Sequence, residues 1–407
     1  MNKQAFFLPN FLLFITLLVK AGTFYAAEPA APSGIIPPSP VTNNNPLITP
    51  APPVLNAKAY ILIDADSGKI IAEKNSNEKL PPASLTKMMT LYVVSSALQN
   101  QQIRLTDSVR ISERAWKTGG SRMFVKEGQQ VNVEDLLKGI IVDSGNDACV
   151  AMAEHLGGSE NAFADIMNQQ ARNLGMQNSH FTDSTGLPDA ELYTTAQDLA
   201  ILGRALVKNF PQYYHWYKQK WFTFNGIRQP NRNRLLWRDN QVDGIKTGHT
   251  QDAGFCLVSS AKRNNMRLIA VVMGSPTETA RADDSERLLN YGFRFFETHE
   301  LYKAGKPITE LALYKGKAKT IPVGLQEDEF VTIPSGQYQR LTINTKIPKL
   351  LQAPINKGEQ IGELLVQFDN NIIATKPLYA LESIPKGGFF TCIKDGIRLT
   401  FRRWFGS

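Results

Sequence analysis

The sequence predicts an α+β protein, and three patterns carry that prediction. Strand signals stand at both ends of a domain spanning residues 57–298 with helical runs between them, which implies one antiparallel sheet closed by both chain ends. From 299 to 384 short alternating runs separated by Gly, Pro and Asn predict a small all-β domain, and 385–407 reads as a C-terminal amphipathic helix. With 407 residues and 43% hydrophobic content the chain can bury a sizeable core over two or three domains.

Met1 to Gln4 form a short basic start, Ala5 to Val19 an apolar run broken by Pro9 and Asn10, and small residues gather at Ala26-Ala27. This is the pattern of a secretory signal peptide over 1–27, with an uncleaved anchor as the alternative; Tyr25 fits the Ala-x-Ala rule poorly, so the cut itself is not placed. Residues 28–56 are rich in Pro, Ala and Asn without hydrophobic period, and read as a disordered tether. Tyr60 to Asp64 and Ile70-Ile71 flank the turn Asp66-Ser67-Gly68-Lys69, giving a hairpin. Segments 84–98, 132–156, 159–174, 194–208 and 283–296 read as helices, and 241–274 as strands. In the β domain the runs 330–334, 340–344 and 361–366 alternate as strands do, with no catalytic constellation among them. Three cysteines, Cys149, Cys256 and Cys392, are too few and too odd in number for a disulfide framework. Cys149 and Cys256 lie in apolar runs and read as core thiols, with a bridge between them left open.

In the tail, Phe390, Ile393, Ile397, Phe401, Trp404 and Phe405 share one helical stripe, while Lys394, Arg398 and Arg402 recur every four residues on another. Gly396 weakens this helix, and it holds too many charges to span a bilayer. It is expected to lie in an anionic membrane surface, each basic residue contributing on the order of 1 kcal/mol; the alternative is docking on the protein's own β domain. A formal net charge of +8 also suits nucleic acid. An exported chain with dispersed basic residues argues against it, in favour of a membrane or cell-wall polymer.

Three short motifs then stand in order: Ser84-Leu85-Thr86-Lys87, Ser144-Gly145-Asn146 and Lys246-Thr247-Gly248. Each has decoys. Ser76, Ser259 and Ser383 also begin Ser-x-x-Lys, Ser159-Glu160-Asn161 repeats the second motif, and Lys117-Thr118-Gly119 the third. Ser84 alone follows Pro81-Pro82-Ala83 and opens a long apolar run free of Gly and Pro, the mark of a buried helix start. Free backbone N–H groups and the helix dipole there favour a developing oxyanion. In α-helical geometry Lys87 lies about 60° around and about 4.5 Å along from Ser84, within reach. Ser76 and Ser383 read as surface sequence, and Ser259 lies on a strand, where i and i+3 point to opposite faces. Lys246-Thr247-Gly248 precedes a strand pair, whereas Lys117 sits in a polar stretch without one. The set describes serine acyl transfer.

These motifs resemble those of penicillin-binding proteins and serine β-lactamases. The stretches Ser144 to Cys149, Phe222 to Asn225, Arg228 to Trp237, Val242 to Thr250 and Gly292 to Thr298 narrow the resemblance to low-molecular-mass D-alanyl-D-alanine carboxypeptidases of the penicillin-binding protein 5 and 6 type. The resemblance covers residue 57 to the C-terminus; the Pro-rich tether departs from it. It implies a β-lactamase/transpeptidase-like catalytic domain and a peptidoglycan stem peptide as substrate. Ser84 would be the nucleophile and Lys87 the general base, with an amine pKa lowered by burial and by Lys246. Ser144 would relay a proton to the leaving amine, and Asn146 would hold the substrate amide and orient Lys87. Lys246 and Thr247, followed by Gly248, would bind the terminal carboxylate, with Arg281 assisting. Backbone N–H groups of Ser84 and His249 would form the oxyanion hole. β-Lactams would inhibit covalently, no cofactor or metal is expected, and the site of action would be the periplasmic face of the inner membrane. The loop Gly119 to Met123 reads as a pocket border or an ordinary Gly turn. Competing readings are a D,D-endopeptidase, a β-lactamase and a non-turnover sensor. No Glu-x-x-Leu-Asn string lies between Asn146 and Lys246 to support a class A lactamase, and a sensor would be expected to have lost Ser84, Lys87 or Lys246.

Overall fold

The computed structural model describes residues 49–405, with side chains as far as Leu399. The segment read as a signal peptide and the tether up to residue 48 lie outside the described residues. Strands β1 (Ala59–Asp64) and β2 (Ile70–Lys74) form the early hairpin; β3 (Val242–Thr250), β4 (Gly254–Arg263) and β5 (Met266–Ser275) form the late meander. They pair antiparallel in the order β2-β1-β5-β4-β3, so the first strands lie beside the last and close one sheet.

Alternation along these strands separates two cores. Ile61, Ile63, Val258, Ile269 and Val271 face the helical layer, and Tyr60, Leu62, Leu257, Leu268 and Val272 face the opposite side. On the helical side α1 (Lys87–Gln99) is buried all round except at Ser96 and Gln99, as expected for a helix whose apolar residues do not keep to one stripe. It is surrounded by α2 (Asn146–Gly157), α3 (Glu160–Leu174) and α4 (Ala196–Asn209). The other face is covered by α5 (Glu278–Phe295), which the sequence placed at 283–296; Thr277 caps it earlier by accepting from Ala280 N.

The expected helix over 132–156 is interrupted. A short helix, Val133–Lys138, runs into a π-turn, Gly139–Asp143, and Ser144 then adopts a left-handed conformation with φ of 60° before α2 begins. The apolar pattern continues through the break because Ile140, Ile141 and Val142 are all buried, so periodicity cannot reveal it. The break lets Asp147 accept from the backbone N–H groups of Met123, Phe124 and Val125, which pins the 119–125 loop over the start of α2.

The last residues of the expected tether are packed instead. Leu55 is buried, Tyr291 Oη donates to Pro50 O at 2.8 Å, and Asn56 donates to the Asp284 carboxylate at 3.2 and 3.3 Å. The three cysteines are free thiols, so the bridge left open between Cys149 and Cys256 does not form. Burial pushes Cys149 up to about 12 and Cys256 to about 11, which leaves both inert.

The β domain begins at Phe296, directly after α5, with strand Phe296–Tyr302 paired to Glu329–Pro334. A six-stranded sheet follows, with 371–380 at its centre between 360–368 and 320–324. A partly buried polar cluster joins the two domains: Thr298 Oγ1 donates to Asp64 Oδ2 at 2.8 Å, and Ser67 and Thr332 hydroxyls meet at 2.6 Å. The terminal helix α6 (Phe389–Phe405) touches the β domain through Asp395, whose carboxylate accepts from Lys315 N at 2.6 Å, and Leu399 is buried. Its opposite side leaves Phe389 and Phe390 74% and 85% exposed, with Ile393 and Ile397 also open. Among the described residues no helix is long and apolar enough to cross a membrane.

Candidate active site

Ser84 lies in a 3-10 turn, Ala83–Thr86, that leads into α1. In a 3-10 turn residues i and i+3 eclipse, which aligns Ser84 and Lys87 more closely than the α-helical geometry read from the sequence. Lys87 Nζ lies 2.9 Å from Ser84 Oγ. Its side chain is fully buried, and Nζ also donates to Thr185 O at 2.6 Å. The turn is close-packed on both sides: Ala83 has φ of 48°, Gly186 presses on it, and a Cβ on Gly186 would fall 1.8 Å from Ala83 O. Gly186 also has φ of +85°, so glycine is required there twice over.

β3 is an edge strand of the sheet and runs beside the serine turn. A Cβ on Gly248 would stand 2.9 Å from Pro82 O and 3.3 Å from Leu85 N, so the third motif needs its glycine for close approach. Lys246 and Thr247 are buried, and Lys246 Nζ donates to Thr247 O at 3.0 Å while lying 2.9 Å from Ser144 Oγ. The left-handed backbone at Ser144 aims its hydroxyl at that amine. All three motifs therefore converge, over a separation of 102 residues between Ser144 and Lys246.

Asn146 lies at the start of α2, beside the second motif's serine. Its N–H donates to Ser121 O at 2.7 Å and its Nδ2 to Gly119 O at 2.7 Å, which makes the 119–123 loop part of the site wall. The Thr185 carbonyl orients Lys87. Arg281, on α5, is buried with Nη2 3.2 Å from Glu278 Oε1 and with its Nε lacking a hydrogen-bond partner. Its guanidinium lies 5.9 Å from the Phe255 ring, on which the exposed His249 ring stacks at 4.0 Å.

Burial pushes the Lys87 amine down, Arg232 pushes the same way, and Cys149, Asp183 and Asp147 pull against them. Arg232 is thus a second cation beside Lys87, in addition to the Lys246 amine that the sequence suggests. Burial drives Lys246 well down, with Lys87, Arg232 and Arg281 adding to it. Burial and mutual repulsion both work against a second proton on this pair of amines.

The decoys fall away structurally. Ser259 is buried within β4 and donates to Ala270 O at 3.4 Å, while Lys262 is exposed. Lys117 ion-pairs with Glu113 at the surface, and Ser159 caps α3. Ser383 is exposed, but Ser76 is buried and donates to Glu73 Oε2 at 2.5 Å, so its reading as surface sequence does not hold. Its backbone carbonyl accepts from Gln197 N and ties the 70s loop to α4, which explains the burial.

Sequence reasoning missed Thr185, Asp183 and Arg232. Asp183 Oδ1 accepts from Thr185 N, Thr185 Oγ1 and Gly186 N at 2.5, 2.6 and 2.7 Å, shaping the loop that holds Lys87. The run Asp183-Ser184-Thr185-Gly186-Leu187-Pro188 is a legible turn signal, but nothing in it says what the turn touches.

A serine hydroxyl beside one buried amine, with a second serine and a second buried lysine across the cleft, is the apparatus of serine acyl transfer. Residues 47–277 match the D-alanyl-D-alanine carboxypeptidase family, residues 296–386 match the penicillin-binding protein 5 C-terminal domain, and the chain belongs to this family. It is 45% identical to D-alanyl-D-alanine carboxypeptidase DacC of Escherichia coli over 87% of this chain and 91% of that one. The structure resembles penicillin-binding protein 5 from Haemophilus influenzae with a TM-score of 0.79 and 43% identity, covering 83% of this chain and all 100% of that one. It also resembles a Listeria monocytogenes penicillin-binding protein in its ampicillin-bound form, with a TM-score of 0.55 and 28% identity over 59% of this chain and 98% of that one.

Proposed function

We propose that this protein is a serine-type D-Ala-D-Ala carboxypeptidase that removes the terminal D-alanine from peptidoglycan stem peptides, and that β-lactams acylate the same serine. The observation that carries this reading is the 2.9 Å approach of the buried Lys87 amine to Ser84 Oγ, opposite Lys246. Neutral Lys87 takes the Ser84 proton as Oγ attacks the carbonyl between the two D-alanines. Backbone N–H groups of Ser84 and His249 receive the oxyanion. Ser144, in contact with Lys246, passes a proton to the leaving amine, free D-alanine departs, and water releases the shortened peptide from the acyl-enzyme.

The substrate's terminal carboxylate pairs with Lys246, Thr247 and Arg281. The unpartnered Nε of Arg281 supports an anion there. A carboxylate beside Lys246 returns a proton to that amine and leaves Lys87 as the neutral member of the pair, which is the division of labour the reaction needs. Asn146 supports the substrate amide through the 119–123 loop. The exposed Phe389, Phe390, Ile393 and Ile397 of α6 rest in an anionic membrane surface while Asp395 and Leu399 hold the helix on the β domain, which suits action at the periplasmic face of the inner membrane. The test is peptide mapping by mass spectrometry after exposure to a penicillin: the adduct is expected on the peptide holding Ser84, and an adduct elsewhere overturns the assignment.

A further inference from the structure

Asp143 ends the π-turn immediately before Ser144, is 1% exposed, and has no hydrogen-bond partner for either carboxylate oxygen. A buried carboxylate with both oxygens orphaned is costly, and strongly perturbed groups of this kind cluster at functional sites. Nothing in the mechanism above uses it. We propose that Asp143 is a positioning residue for acyl transfer: its protonated form preserves the cationic field over Lys87, Lys246 and the substrate carboxylate, and its ionised form weakens that field. The inference rests on the carboxypeptidase reading of the site.

The charged neighbours support this. From α2 comes Asp147, already engaged by four backbone N–H groups including that of Ala148. From the turn at 231–234 comes Arg232, which also acts on Lys87, Lys246 and Arg281. The hairpin Trp221–Pro230, packed on the π-turn, brings Arg228, whose guanidinium lies over the Trp221 ring at 4.4 Å. The turn His215–Lys218 brings His215, whose Nδ1 lies 2.9 Å from Gln212 O, and the exposed Lys218. The preceding helix brings Asp135 and the ion pair Lys138 with Glu134. Of all these, Asp147 and Arg232 are the groups that act on Asp143: burial first and then Asp147 push its carboxyl up to about 7, and Arg232 opposes them. Ionised Asp143 offsets part of the Arg232 charge that holds the Lys87 amine down, and through Arg232 shifts Lys87 toward its ammonium form. Both effects slow acylation as pH rises through neutrality, against the gain from deprotonating Lys87.

The experiment is kcat/KM for D-alanine release from a peptide ending in D-Ala-D-Ala, measured between about pH 5.5 and 9 for wild type, Asp143→Asn and Asp143→Ser. Both variants remove the charge but differ in shape. Wild type and variants are expected to agree below about pH 6. At about pH 8.5 the variants are expected to exceed wild type about threefold or more, the change produced when one charge moves a pKa by about half a unit. Variant profiles that run parallel to wild type at all pH, or lie below it throughout with lowered melting temperatures, overturn the proposal in favour of a purely structural role. Acylation rates with a penicillin, taken over the same range, read the Asp143 effect even if D-alanine release is absent. That absence would count against the substrate reading alone.

Discussion

Thr185 O accepts from Lys87 Nζ at 2.6 Å, reaching 98 residues along the chain to hold the amine 2.9 Å from Ser84. The loop that does this presses on the serine turn so closely that no side chain fits at Gly186. Nucleophile and base are therefore held as much by packing of a distant loop as by their spacing in the motif.

Gly186→Ala tests that support. The added Cβ meets Ala83 O and the residue must keep a positive φ, so the loop is expected to shift and stability to fall by about 1–3 kcal/mol. Because displacement of a reacting group by about 1 Å can cost on the order of 100-fold, penicillin acylation is expected to slow far more than the melting curve moves. Stopped-flow acylation beside thermal unfolding checks the pair.

Lys87→Met should separate stability from activity. Burial depresses the Lys87 amine, so between that depressed value and 10.5 the unfolded chain binds more protons than the folded one, and this residue makes stability rise with pH across that window. Replacing it with an apolar side chain of similar reach is expected to raise stability at neutral pH by about 0.5–2 kcal/mol while slowing acylation by about 100-fold to 10,000-fold. Denaturant melts at two pH values measure the first effect, and penicillin acylation the second.

Ser144 offers a backbone test. Its φ of 60° costs an L-residue strain that glycine does not bear, so Ser144→Gly is expected to fold more stably than Ser144→Ala by about 1 kcal/mol. Both lose the hydroxyl beside Lys246 and are expected to lose kcat alike, by about 100-fold or more. A large activity difference between them would show that the backbone, rather than the hydroxyl, is what the reaction needs.

For the tail, Phe390→Glu with Ile397→Glu removes apolar residues from the open side of α6, each exchange costing on the order of 1.5–3 kcal/mol of burial in a membrane. Sedimentation with vesicles of mixed zwitterionic and anionic phospholipid is expected to show binding by the wild type and at least tenfold weaker binding by the double variant. Turnover of a soluble peptide should not change.

Much of this was readable in the chain because the physics involved is local. Alternation in β1, β4 and β5, the apolar run after Ser84, and the position of Lys246 ahead of a strand pair each depend on neighbours in sequence. The break at Ser144 was not readable, since Ile140 to Val142 are apolar and buried as a continuing helix would be. Nor was the role of Thr185, whose carbonyl is a backbone group that every residue carries. Asp143 looks like one more polar residue beside a motif, and only its burial without partners singles it out. Ser76 misled for the converse reason: polar neighbours suggested surface, while its carbonyl is tied to α4 through Gln197.

The most direct test of the central claim is D-alanine release from a peptide ending in D-Ala-D-Ala, comparing wild type with a folded Ser84→Ala variant. The site geometry predicts release by the wild type and none above background by the variant. Equal release by both would contradict Ser84 as the nucleophile, and a folded wild type that takes up penicillin at Ser84 yet releases no D-alanine would contradict the carboxypeptidase assignment.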